Sequence, residues 1–170
     1  MSGSATFALA IWFFVSVPAG AWISGGLDKQ TQAQKPAPSV TDRQMIETAM
    51  ESYATALRTG TPTEVAALFD VEGELQLPGL AALHGRDAIR EFLAPLTAAM
   101  EVDAVSMQTV LLDVHGTSAD HWGTYKQIAG ERGKAKQQFH GRYAAIWQKN
   151  SDGHWRLLRL MMQPLPADSK

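Results

Sequence analysis

Hydrophobic residues recur at helical spacing through the first part of the chain. After the capping-box sequence Thr41-Asp42-Arg43-Gln44, apolar positions lie three or four residues apart up to Gly60: Met45, Ile46, Ala49, Met50, Tyr53 and Leu57. This spacing predicts an amphipathic helix that ends at Gly60. A second capping box, Thr61-Pro62-Thr63-Glu64, precedes a short apolar set and predicts a second, shorter helix.

A brief strand and a third helix are predicted next. The residues from Glu74 to Leu77 alternate between polar and apolar and stop at Pro78-Gly79, which is typical of a short strand. The sequence His84-Gly85-Arg86-Asp87 then precedes apolar residues at helical spacing, which predicts a third helix. Pro95 lies within that set and is expected to kink or end the third helix.

Beyond Met100 the pattern changes to long extended runs. Turn sequences separate these runs at 115–117, 129–133 and 150–153, where glycine recurs with polar neighbours. Three turns between extended runs predict four long strands. Helices followed by an antiparallel meander indicate an α+β domain over residues 41–166, with the helices covering one face of a curved sheet.

The N-terminal residues 1–21 resemble a secretory signal peptide. An apolar run from Ala5 to Val17 is followed by Pro18 and the small-residue stretch Ala19-Gly20-Ala21, although no Lys or Arg precedes the run. Export to the periplasm or the medium is therefore expected. The alternative is an uncleaved membrane anchor, because the run extends to about 19 residues if it continues to Ile23. Residues 22–40 contain two prolines and read as a linker.

Composition excludes several classes of function. The chain has 15 basic and 17 acidic residues, which gives a formal charge of −2. It therefore lacks the surplus of positive charge that binding to the phosphates of a nucleic acid requires. The absence of cysteine excludes disulfides and thiolate chemistry. The chain also lacks a G-x-S-x-G sequence, a phosphate loop and a G-x-G-x-x-G sequence, so no cofactor is expected. His115 with Asp113 and His121 with Asp120 have no recognised ligand spacing, so no metal is expected either.

Several segments together resemble the nuclear transport factor 2-like superfamily. They are Tyr53-Ala54-Thr55-Ala56-Leu57 with Gly60, the run from His84 to Phe92, Gly123-Thr124-Tyr125, and Gly141-Arg142-Tyr143. This superfamily includes ketosteroid isomerases, scytalone dehydratase and SnoaL-like polyketide cyclases. The resemblance implies a cystatin-like cone with about three N-terminal helices packed on a curved, mainly antiparallel sheet. It also implies a homodimer through the open sheet face.

The resemblance implies an incomplete set of catalytic residues. Tyr53 falls where ketosteroid isomerases keep a tyrosine that donates to the substrate oxyanion. Their general-base aspartate falls on Leu77, and their second oxyanion acid falls near Tyr143 or Ala144. SnoaL-like proteins often carry an acid in the last strand, where this chain has Leu160. The leading hypothesis is therefore a domain that binds a small apolar molecule.

Two alternatives remain open at the level of sequence. His121 and His140 lie on predicted strands, and either is a candidate base that would act with Tyr53 in a SnoaL-like cyclase, isomerase or dehydratase. The other alternative is a dimeric protein-interaction module that uses the outer sheet face. A binding site would be lined by inward residues of the predicted strands together with the helix tyrosine: Tyr53, Leu77, Tyr125, Tyr143, Trp147, Arg159 and Met161.

Overall fold

A computed structural model describes residues 40–166 of the chain. The predicted signal peptide and nearly all of the predicted linker lie outside these residues. Within them, no helix combines the length and the apolar character needed to cross a membrane. The elements run in the order α1 Val40–Thr59, α2 Pro62–Ala67, β1 Phe69–Gln76, β2 Leu83–His84, α3 Gly85–Ala99, β3 Met100–His115, β4 Ser118–Glu131, β5 Gln137–Lys149 and β6 Trp155–Pro164.

The six strands form one sheet in the order β2-β1-β6-β5-β4-β3. The three predicted turns connect β3, β4, β5 and β6, and each of these neighbours pairs antiparallel. β1 runs parallel to β6, which makes the sheet mixed but mainly antiparallel. The helix α1 packs against β3, and α3 packs against β1 and α2. The predicted order of helices followed by an antiparallel meander is therefore confirmed.

The helical part contains two long helices and a single short one. α2 has only six residues, because the chain must turn into β1 at Phe69. Its capping box is formed as predicted: Glu64 N donates to Thr61 Oγ1 at 3.2 Å, and Thr61 N donates to Glu64 Oε2 at 2.6 Å. Pro95 was expected to kink or end α3, and it does not end the helix, which continues to Ala99 with Pro95 inside it.

A β-bulge in β6 changes which side chains of the strand point to the inner face and which to the outer face beyond it. Trp147 pairs with Leu157, whereas the preceding Ile146 pairs with Arg159, so Leu158 is the extra residue. Leu157 and Leu160 are consequently both buried, and Arg159 and Met161 are exposed on the outer face. The alternation that placed Arg159 and Met161 on the inner face with Leu157 is therefore wrong beyond the bulge.

Two glycine–tyrosine pairs shape the inner face of β4 and β5. Gly123 is paired with Tyr143, and Tyr125 is paired with Gly141. An added Cβ at Gly123 would lie 2.7 Å from Tyr143 Oη, and one at Gly141 would lie 2.6 Å from Tyr125 Cε1. Each tyrosine ring thus lies over the glycine of the neighbouring strand. Because glycine has no side chain, the space above it is available to the ring.

Polar contacts hold the first turns of α1 against the sheet. Asp42 Oδ1 accepts hydrogen bonds from Lys149 Nζ at 2.6 Å and from Trp155 Nε1 at 3.1 Å. Arg43 donates through Nη2 to the Leu112 carbonyl of β3. These contacts fix which helix face is turned towards the sheet, and that face carries Ile46, Met50 and Tyr53 into the core.

Candidate functional site

His121 is the buried polar centre of the domain. It lies on the inner face of β4, and none of its surface is exposed. Its Nε2 is 2.9 Å from Tyr143 Oη and 2.9 Å from Thr109 Oγ1. The indole Nε1 of Trp147 donates to its Nδ1 at 3.2 Å. Three strands thus supply a polar cluster, here called the His121 cluster, formed by Thr109, His121, Tyr143 and Trp147.

The hydrogen bonds define the protonation state of His121. An indole N–H can only donate, so Nδ1 must carry a lone pair and Nε2 must carry the proton of the neutral ring. Burial, with the Arg43 guanidinium as a second cause, lowers the pKa of His121 from 6.5 to about 4. The ring is therefore neutral at physiological pH, and its single lone pair is already occupied by Trp147.

The tyrosine hydroxyls of the interior are held in the protonated form. Burial raises the pKa of Tyr143, and a hydrogen bond with Thr109 partly offsets this increase. Burial also raises the pKa of Tyr125. For Tyr53, burial raises the pKa strongly, and the neighbouring Tyr125 adds to the increase. These groups are consequently hydrogen-bond donors over the whole physiological pH range.

Tyr53 and Tyr125 differ from Tyr143 in having free hydroxyls. Tyr53 is 4% exposed and Tyr125 is 6% exposed, and Tyr53 packs edge-on against Phe69 with ring centroids 6.2 Å apart. In residues 41–166, Arg156 Nε is the only fully enclosed side-chain nitrogen or oxygen that lacks a partner. Neither tyrosine oxygen makes a hydrogen bond there, so both retain some open space around them.

A cavity of about 540 Å³ lies between α1, α3, β3 and β4. We call it the α1–α3 cavity. Its apolar wall is formed by Leu57, Leu93, Leu96, Met100, Val102 and Ala129. Leu57 follows Tyr53 by one helical turn, and Ala129 follows Tyr125 on the same strand face. The two tyrosines are therefore neighbours of lining residues, but neither of them lines the cavity itself.

A second cavity of about 480 Å³ lies between α1 and β3. We call it the α1–β3 groove. It adjoins the first cavity, since Arg58 lines both. Its remaining lining is Glu47, Met50, Glu51, Ala54, Thr55, Val105, Ser106, Met107 and Thr109. The groove therefore reaches the His121 cluster through Thr109.

The structure separates the residues predicted for a site into two groups. Tyr53, Tyr125, Tyr143 and Trp147 are buried in the interior, and Leu77 follows β1 and packs against the core. Three others lie on the outer face of the sheet. His140 of β5 lies opposite Lys126 of β4, and Arg159 and Met161 follow the bulge in β6. Arg159 Nε is 3.8 Å from Glu74 Oε2 there.

Sequence reasoning did not identify Thr109. Thr109 pairs with Gly123 in the β3–β4 register, and the register shifts immediately afterwards at Val110. A threonine in a run of apolar and polar residues gives no sign of this contact. The signal that was available is Gly123 itself, because a glycine on an inner strand face indicates close approach of another group.

One histidine and two aspartates lie close together near the β3–β4 turn. His115 Nε2 lies 3.2 Å from Asp113 Oδ2 and 3.6 Å from Asp120 Oδ2 near the β3–β4 turn. Asp120 and His121 point to opposite faces of β4, because Asp120 is exposed whereas His121 is buried. Across the part of the chain that the structure describes, no group of three or more His, Cys, Asp or Glu residues is arranged to hold a metal ion.

The outer face of the sheet carries an apolar row. Leu111, Trp122, Ala144 and Met161 are successive cross-strand partners on β3, β4, β5 and β6. Trp122 is 49% exposed and Met161 is 48% exposed. Ile146 lies beside them and lines a small depression of about 260 Å³ with Trp122 and Met161. We call this surface the outer apolar row.

Comparison with known proteins gives one family and many similar structures. A family model described as a SnoaL-like domain matches residues 38–161. No curated protein matches the chain. A ketosteroid isomerase-like protein from Erwinia carotovora atroseptica is 17% identical with a TM-score of 0.68, over 76% of this chain and 100% of that chain.

Two further solved structures have the same fold. A nuclear transport factor 2-like superfamily protein from Salmonella enterica is 20% identical with a TM-score of 0.64, over 76% of this chain and 94% of that chain. A protein with a cystatin-like fold from Nostoc punctiforme is 12% identical with a TM-score of 0.64, over 77% of this chain and 96% of that chain. At such identities the likeness shows the fold and nothing about activity.

Proposed function

This chain belongs to the SnoaL-like family of the nuclear transport factor 2-like superfamily, and we propose that it binds a small, largely apolar molecule in the α1–α3 cavity. The observation that carries the proposal is the cavity of about 540 Å³ itself, whose apolar wall is supplied by α1, α3, β3 and β4.

The size and lining of the cavity support this proposal. A volume of about 540 Å³ lies within the range of small-molecule sites, which have mainly apolar walls and a few polar groups. Three of the four charged residues in the lining are paired: Arg132 Nη2 donates to the carbonyls of Thr97 and Met100 at 3.3 Å, Arg132 Nη1 lies 4.0 Å from Glu101 Oε1, and Asp103 pairs with Lys136. The fourth is Arg58. A neutral molecule fits this rim better than an ion.

The alternative of a cyclase, isomerase or dehydratase with a histidine base receives less support. A base needs a free lone pair within reach of the substrate proton. The lone pair of His121 accepts from Trp147, and the pKa of about 4 makes the ring a weak base. His140 lies on the outer face, away from Tyr53. Binding of a small neutral molecule, with no proton abstraction by histidine, is therefore the function we propose.

A tryptophan placed in the cavity wall should block binding. We expect Val102→Trp to weaken binding of the neutral fluorophore N-phenylnaphthylamine about tenfold or more, because the indole fills space that the probe needs. The matched control is Val110→Trp on the same strand, since Val110 is exposed and lies outside the cavity. Fluorescence titration measures both. Equal affinities for the two variants, or no saturable binding by the unmodified protein, would contradict the proposal.

The outer apolar row supports a second proposal, a homodimer through the sheet face. Exposed aromatic and aliphatic side chains in one continuous row are the kind of surface that association buries. We expect Trp122→Glu to shift the protein to a monomer in analytical ultracentrifugation, because a carboxylate would be buried without a partner. Leu80→Glu, at an exposed loop leucine, is the control and should remain dimeric. A monomeric parent protein would contradict this proposal.

A further inference from the structure

Gln127 carries a neutral amide in the lining of the α1–α3 cavity. It is partly buried, and across residues 40–166 its carboxamide makes no hydrogen bond. We propose that this carboxamide recognises an amide group on the apolar molecule that the cavity binds, by accepting from the ligand N–H and donating to the ligand carbonyl. The inference rests on the proposed function and adds the chemical class of the ligand.

Strand alternation places Gln127 on the inner face of β4. Its neighbours on that face, Tyr125 and Ala129, are 6% and 2% exposed. Lys126 and Ile128 lie between them, point to the outer face and are exposed. The carboxamide therefore lies on the side of the sheet that the helices cover, at a position where the neighbouring inner side chains are buried.

The amide atoms of Gln127 face open space and not protein. Within the described residues, a fully enclosed side-chain nitrogen or oxygen without a partner is found only at Arg156 Nε, so the carboxamide of Gln127 is not sealed in. The open space beside it is the α1–α3 cavity that it lines. A ligand that fills this cavity displaces water from the amide, so a ligand that replaces the lost hydrogen bonds is favoured over one that does not.

The other neutral polar side chains of the lining already donate within the protein. Thr59 Oγ1 donates to the Thr55 carbonyl at 3.2 Å, and Thr97 Oγ1 donates to the Ala94 carbonyl at 3.1 Å. Both hydroxyl protons are therefore used by the helix that carries them. Of the neutral side chains that line the cavity in the described part of the chain, Gln127 is the one that keeps its donors for a ligand.

A primary amide or a lactam is the ligand group that pairs most fully with a carboxamide. The side chain of Gln127 offers N–H donors and an oxygen acceptor. In a primary amide or a lactam, an N–H and the carbonyl lie on the same side, so both can pair with Gln127 at once. A ketone or an ester only accepts, and a carboxylate would place a negative charge against the glutamine oxygen. Two arginines and two acidic residues line the cavity, so their formal charges cancel and do not favour an acid over a neutral amide.

Apolar surface lies next to Gln127 on the same strand. Ala129 follows it on the inner face and pairs with Val102 of β3, which also lines the cavity. Leu93 and Leu96 add apolar surface from α3. A ligand whose amide meets Gln127 therefore has room for an aromatic or aliphatic body along these side chains, which makes an aryl or alkyl amide the class that fits.

Three naphthalene probes of similar shape test the inference. Naphthalene-2-carboxamide carries the amide, methyl naphthalene-2-carboxylate carries a carbonyl without an N–H, and 2-isopropylnaphthalene carries neither. Each is titrated as a competitor of N-phenylnaphthylamine. We expect Gln127→Met, which keeps the length of glutamine, to weaken carboxamide binding about tenfold and to leave 2-isopropylnaphthalene within about twofold. The matched control is Gln138→Met, an exposed position outside the cavity, which should leave both probes within about twofold.

Comparison of the ligands gives a second measurement that needs no variant. In the unmodified protein, we expect the carboxamide to bind at least about fivefold more tightly than the methyl ester, because the ester cannot donate. Equal affinities for these two probes, or tighter binding of the anion naphthalene-2-carboxylate, would overturn the inference.

The variant has an equally clear negative result. If Gln127→Met changes the binding of carboxamide and 2-isopropylnaphthalene equally, or of neither, Gln127 does not recognise an amide and the inference is overturned. In each of these cases saturable binding of N-phenylnaphthylamine would leave the proposed function standing. Absence of that binding would instead contradict the proposed function, and this inference with it.

Discussion

Gly141→Ala is expected to lower the free energy of unfolding by about 3 kcal/mol. A Cβ at this position would lie 2.3 Å from the Gln163 carbonyl oxygen of β6 and 2.6 Å from Tyr125 Cε1 of β4. Both neighbours belong to paired strands, so the clash is relieved only by moving a strand or the tyrosine ring. Urea unfolding followed by tryptophan fluorescence measures the loss.

A double-mutant cycle separates the two clashes at Gly141. In a Tyr125→Ala background, Gly141→Ala should cost at least about 1 kcal/mol less, because the ring contact is gone while the contact with the Gln163 carbonyl remains. A free energy of unfolding for Gly141→Ala within about 0.5 kcal/mol of the unmodified protein would contradict both close contacts, the one with the Gln163 carbonyl and the one with the Tyr125 ring.

Acid is expected to destabilise the protein through His121 by about 3 kcal/mol. The pKa of His121 is about 4 in the folded state and 6.5 as a free side chain, so the unfolded state binds more protons between these values. The contribution is fully present above pH 6.5 and is lost as the pH falls towards about 4. Unfolding free energies measured across this range should therefore decrease steadily.

The non-titrating variant His121→Gln isolates the effect of the histidine. The pKa values of Glu64 and Asp152 are lowered by hydrogen bonds from backbone amides, so these carboxylates also lose stabilising interactions in acid. They do so equally in both proteins, and the difference between the two curves reports His121. The variant should be less stable at neutral pH and lose less stability between pH 6.5 and 4. Parallel curves would contradict the assignment of a low pKa.

Much of the fold was predictable because periodicity and turn residues act locally. Helical spacing up to Gly60 matches α1, and turn glycines at Gly116, Gly133 and Gly153 have positive φ values, as tight turns between strands require. Capping at Thr61 located α2 for the same reason. Each signal depends on residues that are close in sequence, so no knowledge of the tertiary structure was needed.

The facing of β6 was not predictable, because it depends on a pairing irregularity. Leu158 is one leucine among several apolar neighbours, and nothing in its sequence context marks it as the extra residue of a bulge. One extra residue reverses the parity of all residues after it. Arg159 and Met161 were therefore assigned to the wrong face, while Tyr143 and Trp147, on a strand that alternates regularly from Gly141 to Trp147, were placed correctly.

The candidate site was predictable only in part. Alternation allowed His121 to face the interior, but its partners come from three strands whose registers are set by tertiary pairing. The sequence therefore suggested a histidine base. In the structure, Nδ1 of His121 already accepts a hydrogen bond from Trp147, and the proton on Nε2 faces Tyr143 and Thr109. The role of His121 as a hydrogen-bond donor and not a base follows from these contacts alone.

The neutral Nε2–H form of His121 is the claim on which the argument for binding without a histidine base depends. Long-range ¹H–¹⁵N NMR of imidazole-labelled protein measures both the tautomer and the pKa directly. We expect the Nε2–H tautomer at neutral pH and protonation only near pH 4. An Nδ1–H tautomer, or a midpoint near the ordinary value of 6.5, would contradict the account.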